Sequence, residues 1–266
     1  MTVLEIRNIS KTFYPKTVNE RVAIRDLSLS LPEGDFVTVI GGNGAGKSTL
    51  FNLIAGSLMV DSGQILLDGQ DITYLPEYKR AFKIGRLFQD PLKGTAPSMT
   101  IEENLSLAYL RGRSRGLSWG LSKKNEAFFK EILSTLDLGL ENRLKSKVGL
   151  LSGGQRQAIT LLMATIATPK LLLLDEHTAA LDPGTADKVL NLTKRIVAEN
   201  KITTIMITHN ITSALECGNR TIMMEDGNII LDLAGEERKN KTVEDILTLF
   251  REKSKKEFDN DRMILG

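Results

Sequence analysis

The residues Gly41-Gly42-Asn43-Gly44-Ala45-Gly46-Lys47-Ser48-Thr49 have the types and spacing needed to hold a phosphate chain. They fit the template G-x-x-x-x-G-K-[ST], in which glycines let backbone N–H groups approach the anion closely. A helix opening behind such a loop aims its positive end at the same charge. In that template Lys47 reaches the β- and γ-phosphates of a nucleotide and the Ser48 hydroxyl ligates Mg2+. Further along, the run Leu171–Leu174 ends in Asp175-Glu176, a buried strand delivering two carboxylates at its C-terminal end. Carboxylates there suit a divalent cation, with Asp175 as its ligand; taken alone, the pair is equally a solvated strand end. At Leu151–Gln155 the chain reads LSGGQ. Ser152 suits a helix N-cap, and Gly153 and Gly154 leave the first N–H groups uncovered, which makes an anion site. On local sequence alone the same segment is equally a capped helix start. The dinucleotide fingerprint G-x-G-x-x-G is not matched, which argues against a Rossmann cofactor site.

These groups need elements to carry them. Val3–Arg7 alternates apolar and polar residues as a half-exposed strand does, and Ala23–Leu31 repeats the pattern up to a turn at Pro32–Gly34. Phe36–Ile40 is a short β-branched run that leads directly into the glycine loop, with a helix expected over Ser48–Ser57. Strand, loop and helix in that order are the context a phosphate loop requires. A hairpin-like pair is expected around Gly63–Leu67 and the Asp68-Gly69 turn, then a strand at Gly85–Gln89. Helical patterns follow at Thr100–Leu110, Asn125–Leu136 and Gly153–Thr165. Strands return at Leu171–Leu174, Thr204–Thr208 and Thr221–Glu225, with a helix over Thr185–Asn200. The fold class expected is α/β: a P-loop NTPase core with a mainly parallel sheet, an antiparallel β-subdomain and an inserted helical subdomain. In domain terms, residues 1–235 form the ATPase domain, with 1–89 and 169–235 as core and 90–168 as the helical insertion. Residues 236–266 form a charged tail with one helix around Thr242–Lys253, where Thr242 and Asp245 have capping-box spacing.

Bulk properties set the limits. At 266 residues, 41 % hydrophobic and 26 % charged, the composition is that of an ordinary globular protein. A net charge of +2 gives no reason to expect nucleic acid as a partner. The single Cys217 excludes an internal disulfide and any multi-cysteine metal site. The N-terminal stretch lacks the apolar core of a secretory signal, and no run of about 18 apolar residues appears, so a membrane role would need spans from another polypeptide.

The glycine loop, LSGGQ and LLLLDE, in this order, resemble the nucleotide-binding subunit of an ABC (ATP-binding cassette) transporter over roughly Val3 to Gly235. The resemblance implies ATP and Mg2+ as cofactors and gives roles to further residues. Glu176 would polarise the attacking water. Gln89, in LFQDP, would touch Mg2+ and report to the helical insertion. His209 would contact the γ-phosphate, and Asp182, in AALD, would lie on the loop that crosses to a partner subunit. Phe13, in SKTF, would stack on adenine, with an edge-strand core position as the alternative. Ser152, Gly153, Gly154 and Gln155 would contact the γ-phosphate of ATP held by another subunit, so that neither subunit completes a site alone. Asp175 and Ser48 would share the metal with Gln89. One departure stands out: the family usually has proline after the Asp-Glu pair, and here it is His177. That is either a tolerated loop substitution or a titratable group near the phosphates.

The resemblance further implies a peripheral protein at the cytoplasmic face of the membrane, with a separate permease, a second ATPase subunit in a homodimer and a substrate-binding protein. No coiled coil, second cassette or fused span is present to indicate a different member of the superfamily. GRLFQDPLKGTAPSMTIEENL and DEHTAALDP resemble importers of amino acids or similar small solutes, aromatic residues included. The alternatives are an exporter subunit, or a soluble ABC ATPase acting on nucleoprotein. Nothing in the sequence contacts cargo.

Overall fold

The computed structural model describes residues 1–111 and 123–253. The part of the helical block at 112–122 and the tail beyond 253 lie outside the described residues. The chain opens with β1 (Thr2–Phe13), β2 (Arg21–Pro32), β3 (Phe36–Ile40), α1 (Lys47–Ala55), β4 (Ser62–Leu67), β5 (Gln70–Asp71), α2 (Glu77–Arg80) and β6 (Ile84–Leu87). It continues with α3 (Ile101–Tyr109), α4 (Lys123–Ser134), α5 (Gly153–Thr165), β7 (Leu171–Asp175) and α6 (Pro183–Asn200). Last come β8 (Thr203–Ile207), α7 (Ile211–Glu216), β9 (Arg220–Glu225), β10 (Asn228–Ala234), α8 (Gly235–Lys239) and α9 (Val243–Lys253).

Two sheets organise these elements. A four-stranded antiparallel sheet has the order β2-β1-β4-β5. A six-stranded sheet has the order β10-β9-β3-β8-β7-β6, parallel throughout except for the antiparallel edge strand β10. The apolar run Leu171–Leu174 has no alternation because both faces of β7 are covered. Leu171 and Leu173 pack with α1 and the antiparallel sheet, whereas Leu172 and Leu174 pack with α3, α5 and α6. Fully burying a leucine contributes about 1.5–3 kcal/mol, so this strand is a major anchor for the carboxylates at its end. A third core joins Ile40 and Met223 to Ile211 of α7 and to Ile246 and Phe250 of α9. The tail helix is therefore docked, and the cap expected at its start forms: Asp245 N–H donates to Thr242 Oγ1 (3.2 Å) and Thr242 N–H to Asp245 Oδ2 (2.8 Å).

Several boundaries differ from the sequence expectation. β1 runs on to Phe13 because a bulge at Asn8, with φ of 49°, resets the alternation that ended at Arg7. β6 stops at Leu87, so Gln89 lies exposed in a bend beyond the strand rather than at its end. The helix behind the glycine loop ends at Ala55, two residues early, where Gly56 adopts φ of 86° and its N–H returns to Asn52 O. Arg80, buried at the start of the β6 connection, donates to the carbonyls of Leu53, Ile54, Thr73 and Leu75 and so clamps the C-terminal end of α1.

Candidate active site

The glycine loop leaves β3 and enters α1 through conformations closed to other residues. Gly41 has φ of 148°, and a Cβ there would lie 2.2 Å from Met224 O. Gly46, at φ of 104°, would place a Cβ 2.6 Å from Ala23 O. No side chain caps α1, whose first residues are Lys47, Ser48 and Thr49, so its N-terminal donors remain available to a ligand. Lys47 is only 5 % exposed and donates from Nζ to Gly41 O (2.7 Å) and Gly42 O (3.0 Å). Burial lowers the pKa of its ammonium, while Glu176 and Asp175 nearby favour the charged form.

Across from the loop, the C-terminal ends of β7 and β8 bring two further groups together. Asp175 ends β7 half-buried; burial raises its pKa, and Arg86 and Lys47 work against that rise. Glu176 follows in the left-handed region, with φ of 45°. Its N–H is fixed to Ile207 O (3.1 Å), and its Oε1 lies 2.6 Å from His209 Nε2, just beyond β8. One residue on, the chain has turned away. His177 is 3 % exposed, and its Nε2 is 3.1 Å from Thr193 Oγ1 of α6. The Thr193 hydroxyl donates to Val189 O (2.8 Å), so the imidazole is the donor to Thr193. Burial pushes its pKa down to about 4. His177 thus belongs to the layer under α6, which rules out, of its two readings, the titratable group beside the phosphates.

Phe13, Asn43, Gly44, Ala45, Gly46, Lys47, Ser48, Thr49, Glu176 and His209 line one open pocket, joined by Ala23 and Arg21. Arg21 is the cross-strand partner of Phe13 and donates to Gly44 O (3.1 Å). Sequence reasoning missed it; the hairpin register, not its residue type, is what brings it to the pocket. Gly41 and Gly42 stand behind the pocket as acceptors for Lys47. Gln89, Ser152, Gly153, Gly154, Gln155 and Asp182 do not line this pocket. Instead, Ser152 and Gln155 form a reciprocal cap at the start of α5, each N–H donating to the other's side chain at 3.3 Å. Asp182 caps the adjacent α6, accepting from Thr185 N–H (3.0 Å). A Cβ on Gly154 would lie 2.1 Å from Thr185 Cγ2, so that glycine is required where the two helix starts meet. The motif residues therefore fall into two groups within one chain, one around the glycine loop and one at the starts of α5 and α6, with Gln89 apart from both in the bend after β6.

Ser48 and Asp175 offer a hydroxyl and a carboxylate, the hard oxygen donors magnesium takes alongside substrate phosphates. The carboxylate is half-buried, and burial penalises its charge, a cost a divalent cation would relieve. Among the described residues no group of three His, Cys, Asp or Glu could hold a metal unaided, so an ion here needs oxygens from a substrate.

A parallel sheet with a glycine loop ahead of a buried lysine, facing two carboxylates at the end of β7 and a histidine just beyond β8, defines a P-loop ATPase. The sequence profile of the ABC transporter family matches residues 24–179. A tyrosine transport ATP-binding protein of Clostridioides difficile (strain R20291) is 48 % identical over 93 % of this chain and 98 % of its own length. A spermidine/putrescine import ATP-binding protein of Haemophilus ducreyi is 34 % identical over 87 % of this chain, which spans 58 % of that protein. Among solved structures, a dimeric ATP-binding cassette in a post-hydrolysis state with ADP and Pi superposes with a TM-score of 0.73 at 28 % identity, covering 87 % of this chain and 98 % of that one. The chain belongs to the ABC transporter family and is an ATP-binding subunit of it, an ATPase of the cassette fold.

Proposed function

We propose that two copies of this chain close around two ATP molecules and hydrolyse them to drive import of an amino acid through a separate permease. The observation that carries the ATPase half is the single pocket shared by the glycine loop, Lys47, Glu176 and His209. In this reading the N–H groups of Gly42 to Thr49 and the start of α1 hold the β- and γ-phosphates, with Lys47 neutralising their charge. Phe13 packs on the adenine. Glu176 accepts a proton from the attacking water, and His209, hydrogen-bonded to Glu176, keeps that carboxylate in place beside the γ-phosphate. Ser48, Asp175 and Gln89 would hold Mg2+, which would supply charge neutralisation at the transferring phosphoryl group.

Ser152, Gly153, Gly154, Gln155 and Asp182 act on the nucleotide of the partner copy. Their absence from the chain's own pocket supports that division, as does the dimeric relative bound to ADP and Pi. ATP contacts available only in the closed pair shift the open–closed equilibrium, and loss of the γ-phosphate releases it.

No helix among the described residues is long and apolar enough to cross a membrane. Leu92, in the segment after β6, and Leu107 of α3 are exposed apolar side chains in the helical block, which in this reading receives a short permease helix. This gives a peripheral subunit on the cytoplasmic face of the membrane, working with a permease and a substrate-binding protein. The relative at 48 % identity, named for tyrosine transport, supports an aromatic amino acid as cargo. The test is a pull-down of the chain, with ATP, from detergent-solubilised membranes of its host, read by mass spectrometry. A multi-span permease with a binding protein is expected, and purified binding protein should then bind tyrosine. Recovery of ribosomal or DNA-repair proteins alone would refute the transport reading; a permease without a binding protein would favour export.

A further inference from the structure

Arg86 is a buried cation that the proposed chemistry does not use. It lies within β6, in register with Leu173 of β7, and its side chain is 12 % exposed. Its Nη2 donates to Asn52 Oδ1 (2.8 Å) and its Nη1 to Ser57 Oγ (3.2 Å), while the guanidinium stacks over the Phe88 ring with 4.5 Å to the centroid. The same Nη2 stands 3.8 Å from Asp175 Oδ2, close enough for attraction but too far for a hydrogen bond. Its Nε is buried without a partner. A guanidinium held this way is costly, and an aliphatic side chain would fill the space without that cost.

Three of these contacts fall on or beside residues of the proposed metal shell. Asn52 is four residues after Ser48 on α1, hence on the same helical face. Phe88 directly precedes Gln89, and Asp175 is touched by the charge itself. We propose that Arg86 is a positioning residue that fixes α1, β7 and the segment carrying Gln89 relative to one another, so that Ser48, Asp175 and Gln89 converge on one magnesium ion. This rests on the assignment of those three residues to the metal. Because Arg86 is anchored on Asn52 and Ser57, it offsets the charge of Asp175 without capturing the oxygen that the ion must take. A lysine could not do the same, since it lacks the planar fork that makes the two anchors simultaneously.

The test measures ATP affinity by titration calorimetry with Mg2+ and with EDTA, in variants whose thermal unfolding confirms a folded chain. In the wild type Mg2+ should tighten binding. In Arg86→Met, which keeps the stem and loses the fork, that gain should fall by about tenfold, the lower range for loss of a residue that orients metal ligands. Affinity in EDTA should change by less than about twofold, because phosphate contacts from the glycine loop remain. Asn52→Ala, which removes one anchor and keeps the charge, should reduce the gain in the same direction and decides the matter if Arg86→Met does not fold. An undiminished Mg2+ gain in the folded variants would overturn the role of Arg86 while leaving the metal assignment standing. No Mg2+ gain in the wild type would overturn the metal assignment, and the role of Arg86 with it.

Discussion

Acid should weaken this fold through His177 in particular. The imidazole is buried, neutral and donating to Thr193, with a pKa near 4 in place of the ordinary 6.5. For a base whose folded pKa lies below its unfolded one, the unfolded chain takes up the proton first. Stability is therefore full above about pH 6.5 and falls as the pH drops toward 4. Between pH 8 and pH 5 the unfolded state gains about 2 kcal/mol from this one protonation, which for a chain of this size lowers the melting temperature by about 4–8 °C. His177→Gln keeps an N–H donor for Thr193 and removes the titration. Circular dichroism melts of both proteins at pH 8 and pH 5 isolate the effect, because every other titrating group is common to the pair. The wild type should lose about 4–8 °C more than the variant on acidification. Equal losses in the two proteins would refute the buried, neutral histidine. Because the ring lies under α6, the variant's turnover at pH 7 should stay close to the wild-type value.

Two further substitutions probe the two groups of site residues. Gly46→Ala forces a Cβ to 2.6 Å from Ala23 O at a φ of 104°, so the loop must shift. The strain costs about 1–3 kcal/mol, and ATP affinity by titration calorimetry should fall at least about tenfold; unchanged affinity would mean the loop does not hold phosphate. Ser152→Arg breaks the reciprocal cap with Gln155 and fills the start of α5. It should abolish hydrolysis while monomer ATP affinity stays as in wild type, and normal turnover would disprove a site shared between two copies.

The glycine loop was legible because its template demands residue types whose reasons the structure repeats, such as the φ of 104° at Gly46. Leu171–Leu174 was legible as a strand buried on both faces, because each face meets its own core. What escaped were features set by reach through space. Arg86 and Arg80 join segments 27 to 34 residues distant through long side chains that no local pattern marks. The end of β1 was hidden by the bulge at Asn8, which interrupts the period-two pattern. For His177 the sequence left two readings open, and what decides between them is the positive φ of Glu176, which parts two neighbours, one to the pocket and one to α6. LSGGQ looked equally like a capped helix, and in a single chain the reciprocal cap is what its serine and glutamine form; its nucleotide role needs a second copy.

The most direct test of ATP-driven closure with Glu176 as the base is Glu176→Gln, run on size-exclusion chromatography with and without Mg·ATP. The amide keeps the shape of the side chain at 2.6 Å from His209 and removes its basicity. Turnover should drop by at least about a hundredfold, the contribution expected of a general base. ATP should convert the variant from monomer to a stable dimer that ADP does not support. A variant that stays monomeric with ATP at high protein concentration, or that hydrolyses at the wild-type rate, would contradict the proposed mechanism.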